Sequence, residues 1–232
     1  PGRLAALTAR LARAPARVEL PDPLTGVPRA VALGPAQLRR AVFLLSYAPE
    51  TAALLPVLLD RAAAGALAPL AAQALAVAGD VDAALSRPLQ WSVLCAEDVP
   101  FYGPPAAEPA GAAGELGADV RRGLEAVCRV WPHARPDPTQ RAPVRSDVPA
   151  LLLSGEADPV TPPAWAELAA RDLPHARHLV LPGGGHGTLY RGCLPRLAAR
   201  FVAAGSAEGL DTACVERTRP APPFLDLLGP GP

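Results

Sequence analysis

The pattern of apolar and polar residues changes near residue 145. Before that point, apolar residues recur with the spacing of one helix face. This pattern predicts helices over residues 4–13, 35–45, 51–64, 67–78 and 116–130. Clusters of proline, glycine and alanine predict a turn at 21–26, a loop at 99–117 and a connector at 132–143. The first part of the chain is therefore predicted to be mostly helical.

After residue 145 the pattern predicts alternating strands and helices. Residues 148–153 (VPALLL) form a short apolar run between turn residues, which is typical of a buried parallel strand. A proline near its first turn begins a predicted helix at 162–173, a second strand follows at 176–181, and an amphipathic helix at 194–204. This order predicts a parallel α/β layer. Two strands cannot cover both faces and both edges of such a sheet, so we expect partner strands from elsewhere.

Composition and charge exclude several classes of function. Half of the residues are hydrophobic and the net charge is zero, so no basic face for a nucleic acid is predicted. The longest apolar stretches, such as 62–78, are rich in alanine and interrupted by Gly65 and Pro69, and no membrane span is predicted. The chain lacks Lys, Ile, Asn and Met, which indicates a GC-rich genome and a bacterial source. It shows no signal peptide, and we expect any such segment to lie upstream.

No metal site or cofactor is predicted. The cysteines form no C-x-x-C pair, which argues against a zinc ribbon. Three histidines are predicted to be surface or loop residues: His133, His175 and His178.

The four cysteines allow three disulfide pairings. The simplest joins neighbours in sequence, Cys95 with Cys128 and Cys193 with Cys214. That pairing would imply an oxidising compartment. The alternative is four buried free thiols, since cysteine is common in protein cores.

Two polar residues are expected at one edge of the predicted sheet. Asp158 follows the first strand in LLLSGEADPVTPP, and His186 follows the second in PGGGHG. The carboxyl ends of parallel strands meet at the edge where open α/β sheets bind ligands. There an aspartate can accept the imidazole N–H, and the histidine can act as general base and then as general acid. Alternatively, Asp158 is only a turn residue before proline. A phosphate cradle at GGGHG is disfavoured because no Lys-Ser/Thr follows.

These segments resemble a known family. SGEADPVTPP followed by LPGGGHG resembles the C-terminal region of α/β-hydrolases, in which the acid precedes the histidine. SVLCAEDVPF, VCRVWP, GCLPRL and the late Cys214 are similar to the tripeptidyl-aminopeptidase and prolyl-aminopeptidase group. The resemblance extends over about residues 85–230. It implies an α/β fold in which residues 146–232 form the C-terminal part of the hydrolase core, with Asp158 and His186 as catalytic residues, and residues 1–145 form a helical cap.

The chain departs from this family at the nucleophile. A nucleophile elbow needs G-x-S-x-G, and no such motif occurs. We therefore expect the serine and the N-terminal core strands to be absent from this chain. The resemblance also suggests that Glu97 and Asp98 hold the free α-amino group of a peptide, since a cationic amine attracts a carboxylate. The alternative is a solvated or helix-capping pair.

The combined expectation is the C-terminal portion of an exported serine aminopeptidase. It would act by acyl transfer on peptides with a free N-terminus, and the missing core strands of the same protein would complete it. This chain alone is expected to be inactive. Two alternatives stay open: an esterase on the same fold, and a truncated, non-catalytic protein that binds peptides.

Overall fold

The computed structural model describes residues 2–22, 25–104, 112–226 and 228–230, with only the backbone for 112–115. The chain forms two compact units. One consists of Pro1–Leu44 and Leu58–Ala142, and the other of Leu45–Val57 and Pro143–Pro232. Whether a cap and a hydrolase core divide at residue 145 stays a prediction.

The first unit is mainly helical. Its elements, with α3 shared between the units, are α1 (Gly2–Arg13), β1 (Ala16–Pro21), β2 (Pro28–Leu33), α2 (Pro35–Leu45), α3 (Pro49–Ala63), α4 (Ala68–Ala84), α5 (Arg87–Glu97) and α6 (Ala112–Cys128). Short 3-10 turns lie at Val99–Phe101 and Pro138–Arg141. The bounds of α2 agree with the prediction, whereas α4 extends six residues beyond its predicted end at 78. The prediction of a loop at 99–117 is wrong from residue 112 onward, because α6 begins there. The glycines within α6 disfavour a helix only weakly.

An antiparallel hairpin interrupts the helices of the first unit. Strands β1 and β2 pair with Val18 opposite Val31. Val18 and Leu20 are buried while the residues between and beside them are not, which is the alternation of a half-buried strand. The predicted turn at 21–26 lies between the strands, although residues 23 and 24 lie outside the described residues. The prediction of an otherwise helical region missed these two strands.

The first unit also contains a disulfide and an aromatic contact that fix its later helices. Cys95 and Cys128 join α5 to the end of α6. The rings of Trp91 and Trp131 meet edge to face with centroids 5.0 Å apart, and Trp131 Nε1 donates to Ser92 Oγ at 3.1 Å.

The second unit contains a parallel two-stranded sheet, as predicted. Its elements are β3 (Ala150–Gly155), α7 (Pro163–Ala170), β4 (Ala176–Leu181), α8 (Leu194–Ala204) and the short α9 (Ala213–Glu216). β3 and β4 run in parallel with Leu152 opposite His178. Beneath one face of the sheet lies a core formed by Leu179, Leu181, Leu194, Leu197 and Val215. The disulfide Cys193–Cys214 joins the start of α8 to α9.

The other face of this sheet carries a polar pair in which Ser154 is buried and His178 is half-buried. Ser154 Oγ lies 2.9 Å from His178 Nε2, and Ser154 is buried. His178 was predicted to be a surface or loop residue; it lies within β4 and is half-buried, so its placement in a loop is wrong. The period of two in a strand places His178 on the same face as Leu152 and Ser154, and these two residues line a groove together with Trp165 and Ala166 of α7.

Among the described residues, no single helix has the length and apolarity needed to cross a membrane. The sharply bent pair Ala68–Ala84 and Arg87–Phe101 meets that criterion only when its two segments are combined.

Candidate active site

The two predicted site residues of the sheet edge lie in hydrogen-bonding contact. Asp158 follows β3 by three residues, and His186 follows β4 by five. Because the strands are parallel, both residues emerge at the same edge. His186 Nδ1 lies 3.0 Å from Asp158 Oδ2 and 3.2 Å from Oδ1. The structure thus brings together the carboxylate and imidazole that the sequence places 28 positions apart.

Asp158 is held as a carboxylate by four donors. Its side chain is 4% exposed. The backbone N–H groups of Val160 and Thr161 donate to Oδ1 at 2.8 and 2.9 Å, and Thr161 Oγ1 donates to Oδ2 at 2.8 Å. Burial acts to raise the pKa of Asp158, but the hydrogen bonds from Thr161, Val160 and His186 outweigh it and lower the pKa below its usual value. An ionised Asp158 can therefore accept the Nδ1–H of the imidazole.

The imidazole of His186 presents its second nitrogen away from this contact. The side chain is 39% exposed, and no described residue forms a hydrogen bond with Nε2. A proton on Nδ1, donated to Asp158, leaves the lone pair on Nε2. Such a nitrogen can accept a proton from a hydroxyl or a water molecule and return it later.

Glycines let the two loops of the site approach each other closely. A Cβ atom on Gly155 would lie 2.2 Å from the carbonyl oxygen of Gly185 and 2.4 Å from that of Gly184. The N–H of Ala157 donates to the Gly184 carbonyl at 2.9 Å, which joins the segment that follows β3 to the segment that follows β4. The absence of a side chain at Gly155 therefore permits close backbone packing between the segments that carry Asp158 and His186.

Sequence analysis missed two residues that contact this pair. Thr161 donates to Asp158, and its hydroxyl also lies 3.3 Å from His186 Nδ1. The signal for Thr161 was the segment D-P-V-T, in which an aspartate commonly accepts from the backbone two and three residues later. The backbone carbonyl of Tyr47 accepts the N–H of His186 at 2.7 Å, and the Tyr47 ring meets the imidazole edge to face with centroids 5.5 Å apart. No local pattern identifies Tyr47, because it is remote in sequence.

Glu97 and Asp98 lie in the first unit. Glu97 is the last residue of α5. Asp98 is the C-cap of that helix, and its backbone carbonyl accepts the N–H of Phe101 at 3.0 Å. Both side chains are exposed. Burial raises the pKa of the nearby Tyr102 and the charge of Asp98 adds to that effect. A role for these carboxylates in substrate binding stays a prediction.

The four cysteines form the pairs that are closest in sequence, Cys95–Cys128 and Cys193–Cys214. Within the described part of the chain, no three His, Cys, Asp or Glu side chains converge as metal ligands.

Comparison with known proteins identifies the region that contains this pair. Residues 114–214 match the family model of the TAP-like proteins, which are α/β-hydrolases. No curated protein and no solved structure matches the chain significantly. The matched segment includes β3, α7, β4 and α8 together with Asp158 and His186. The predicted resemblance is thereby confirmed: residues 114–214, somewhat under half of the chain, are similar to the TAP-like α/β-hydrolases.

Proposed function

We propose that this chain supplies the acid and the base of a serine hydrolase. The main support is the hydrogen-bonding contact between Asp158 and His186, which leaves Nε2 of His186 without a hydrogen bond to any described residue. This contact lies at the edge of a parallel strand pair, within the region that matches the TAP-like family model. In this proposal His186 takes the proton of a serine hydroxyl as that oxygen attacks a carbonyl carbon, and later donates it to the leaving group. Asp158 orients the imidazole and stabilises its protonated form.

The serine of this proposal lies outside the chain. The sequence has no G-x-S-x-G motif. Ser154, the serine on β3, forms its hydrogen bond with His178 and not with His186. The described part of β3 pairs only with β4, which leaves its other edge available to a further strand. A groove of about 380 Å³ adjoins β3 and is lined by Leu152, Leu153, Ser154, Thr161, Pro162, Trp165 and Ala166. We propose that core strands of the same protein, including the one that carries the serine, pair with β3.

The proposed substrate is a peptide with a free N-terminus. Acyl transfer would release a residue or a short peptide from that end, and water would then hydrolyse the acyl-enzyme. The exposed carboxylates of Glu97 and Asp98 have the charge needed to attract the substrate ammonium group. Two disulfides support an exported enzyme, because such bonds persist in oxidising compartments.

The test uses the complete coding sequence and variants of it. Turnover of a free peptide anilide, its N-acetylated form and a simple ester should be compared. Preference for the free amine supports the aminopeptidase, and preference for the ester supports an esterase. His186→Ala should lower kcat/KM by at least about 10³-fold. The matched control, His175→Ala, should not, because His175 is an exposed histidine of the same unit.

A fluorophosphonate that reacts with activated serines provides the second test. The complete protein should be labelled and this chain should not. Labelling of this chain, or a complete coding sequence without G-x-S-x-G, would refute an external serine nucleophile.

A further inference from the structure

Residues 47–50, which we call the bracket, contact the histidine loop, residues 183–191. The N–H of His186 donates to the carbonyl of Tyr47 at 2.7 Å, and the Tyr47 ring meets the imidazole at an angle of 76°. Gly185 permits this approach, since a Cβ there would lie 2.3 Å from the Tyr47 oxygen. The bracket therefore touches both the backbone and the ring of His186.

A bidentate ion pair ties the end of the histidine loop to the same bracket. Arg191 Nη1 donates to Glu50 Oε1 at 2.5 Å, and Nη2 donates to Oε2 at 3.0 Å. A hydrogen bond from Arg191 lowers the pKa of Glu50, and the one to Glu50 raises the pKa of Arg191, so both groups are charged. Such fork-to-fork pairs restrict geometry more than a single contact does. The loop is thus held at His186 and again at Arg191.

The bracket itself is anchored at the start of α3. Thr51 Oγ1 donates to the carbonyl oxygens of Leu45 and Ala48 at 2.7 and 3.1 Å. Further along α3, the Ala53 carbonyl accepts the N–H of Phe224 at 2.9 Å. These bonds fix the backbone from which Tyr47 and Glu50 project.

We propose that Glu50 and Tyr47 are positioning residues for His186. Glu50 fixes the histidine loop through its ion pair with Arg191. Tyr47 contacts the backbone and the ring of His186. Together they keep His186 Nδ1 within hydrogen-bonding distance of Asp158. Without them the imidazole can shift toward Thr161 Oγ1, which lies 3.3 Å from Nδ1. The functional meaning of this inference rests on the proposed role of His186 as the base, whereas its structural test needs no turnover.

The experiment uses the complete protein labelled with ¹⁵N in its histidines. The nuclear magnetic resonance signals of His186 report its tautomer and the solvent exchange of its Nδ1 proton. Glu50→Gln and Arg191→Gln should each speed that exchange by about fivefold, as loss of a partly exposed bidentate pair predicts. Tyr47→Leu should shift the His186 ring signals. The matched control is Arg145→Gln, which breaks the single contact between Arg145 and Asp172 in the same unit. It should leave both the exchange rate and the His186 ring signals unchanged.

The charge-exchanged double variant Glu50→Arg/Arg191→Glu separates positioning from simple loss of folding. It should restore the exchange rate to within about twofold of the original, since the pair is re-formed in reverse. Single variants with unchanged exchange, or a folded double variant without recovery, would overturn the proposal. A failure of the complete protein to hydrolyse peptides or esters would refute the proposed function without altering these signals.

Discussion

Gly155→Ala should destabilise the second unit and displace His186. The new Cβ would lie 2.2 Å from the Gly185 oxygen and 2.4 Å from the Gly184 oxygen. Ordinary contact lies near 3.5 Å, so β3 and the histidine loop must separate by about 1 Å. Both clashing atoms belong to the backbone, so no flexible side chain can relieve the strain. The cost of overpacking should therefore be in the upper half of its usual range, about 2–3 kcal/mol.

The assay for Gly155→Ala is urea and thermal unfolding of this chain. A loss of that size should lower Tm by roughly 5–10 °C. Gly123→Ala is the matched control: Gly123 lies within α6, and a Cβ there meets nothing within 4 Å. The Gly123→Ala variant should raise the free energy of unfolding by about 0.5–1 kcal/mol, because glycine is a poor helix former. If the two units unfold separately, the variants should move different transitions.

Gly155→Ala should also disturb the contact between Asp158 and His186. A displacement of about 1 Å at Gly185 would stretch the contact between His186 and Asp158, which is 3.0 Å long. In the complete protein this should lower kcat by about 10²-fold, the usual effect of misplacing a catalytic group by that distance. Equal stability of Gly155→Ala and the original chain would refute the close packing of the two loops.

Three further predictions concern the second unit. Hydrogen bonds outweigh burial and lower the pKa of Asp158, so its carboxylate stabilises the fold above the usual pKa of about 4 and this contribution disappears as the pH falls through the folded-state pKa. Asp158→Asn should flatten that part of the pH profile of the unfolding free energy, and an unchanged slope would contradict this. Opening the Cys193–Cys214 bond by double substitution to serine should cost about 3 kcal/mol in urea unfolding; an unchanged midpoint would count against its structural role. Ser154→Ala should cost about 1–2 kcal/mol by leaving Nε2 of His178 without its partner, and adding His178→Leu should recover part of that loss. A neutral Ser154→Ala would show that the pair contributes little.

Local patterns predicted the second unit well. Strand β4 and helix α8 have the predicted bounds, and β3 begins two residues later than predicted. Their apolar runs are bounded by proline and glycine, and both strands have the parallel pairing that buried composition favours. The contact between Asp158 and His186 follows from the same topology, since parallel strands deliver their carboxyl ends to one edge.

Predictions were poorer where tertiary contacts decide the structure. Strand β1 alternates between buried and unburied positions and β2 is mostly exposed, so neither forms the apolar run that identified β3 and β4, and the helical pattern around them dominated the interpretation. The contacts of Tyr47 with His186 and of Glu50 with Arg191 join distant parts of the chain, the latter pair 141 residues apart. No spacing rule connects such residues in a single sequence. Thr161 was within reach, because its hydroxyl belongs to the turn that Asp158 begins.

The division of the second unit into Leu45–Val57 and Pro143–Pro232 determines when His186 can be correctly placed during synthesis. A ribosome adds about 5–20 residues per second, so Tyr47 emerges on the order of ten seconds before His186. Contacts of such long sequence separation form late, because a large loop must close first. The contact between Asp158 and His186 can therefore reach its final geometry only after the intervening helices have been made. A fragment that begins at residue 143 would retain Asp158 and His186 but would lose Tyr47 and Glu50.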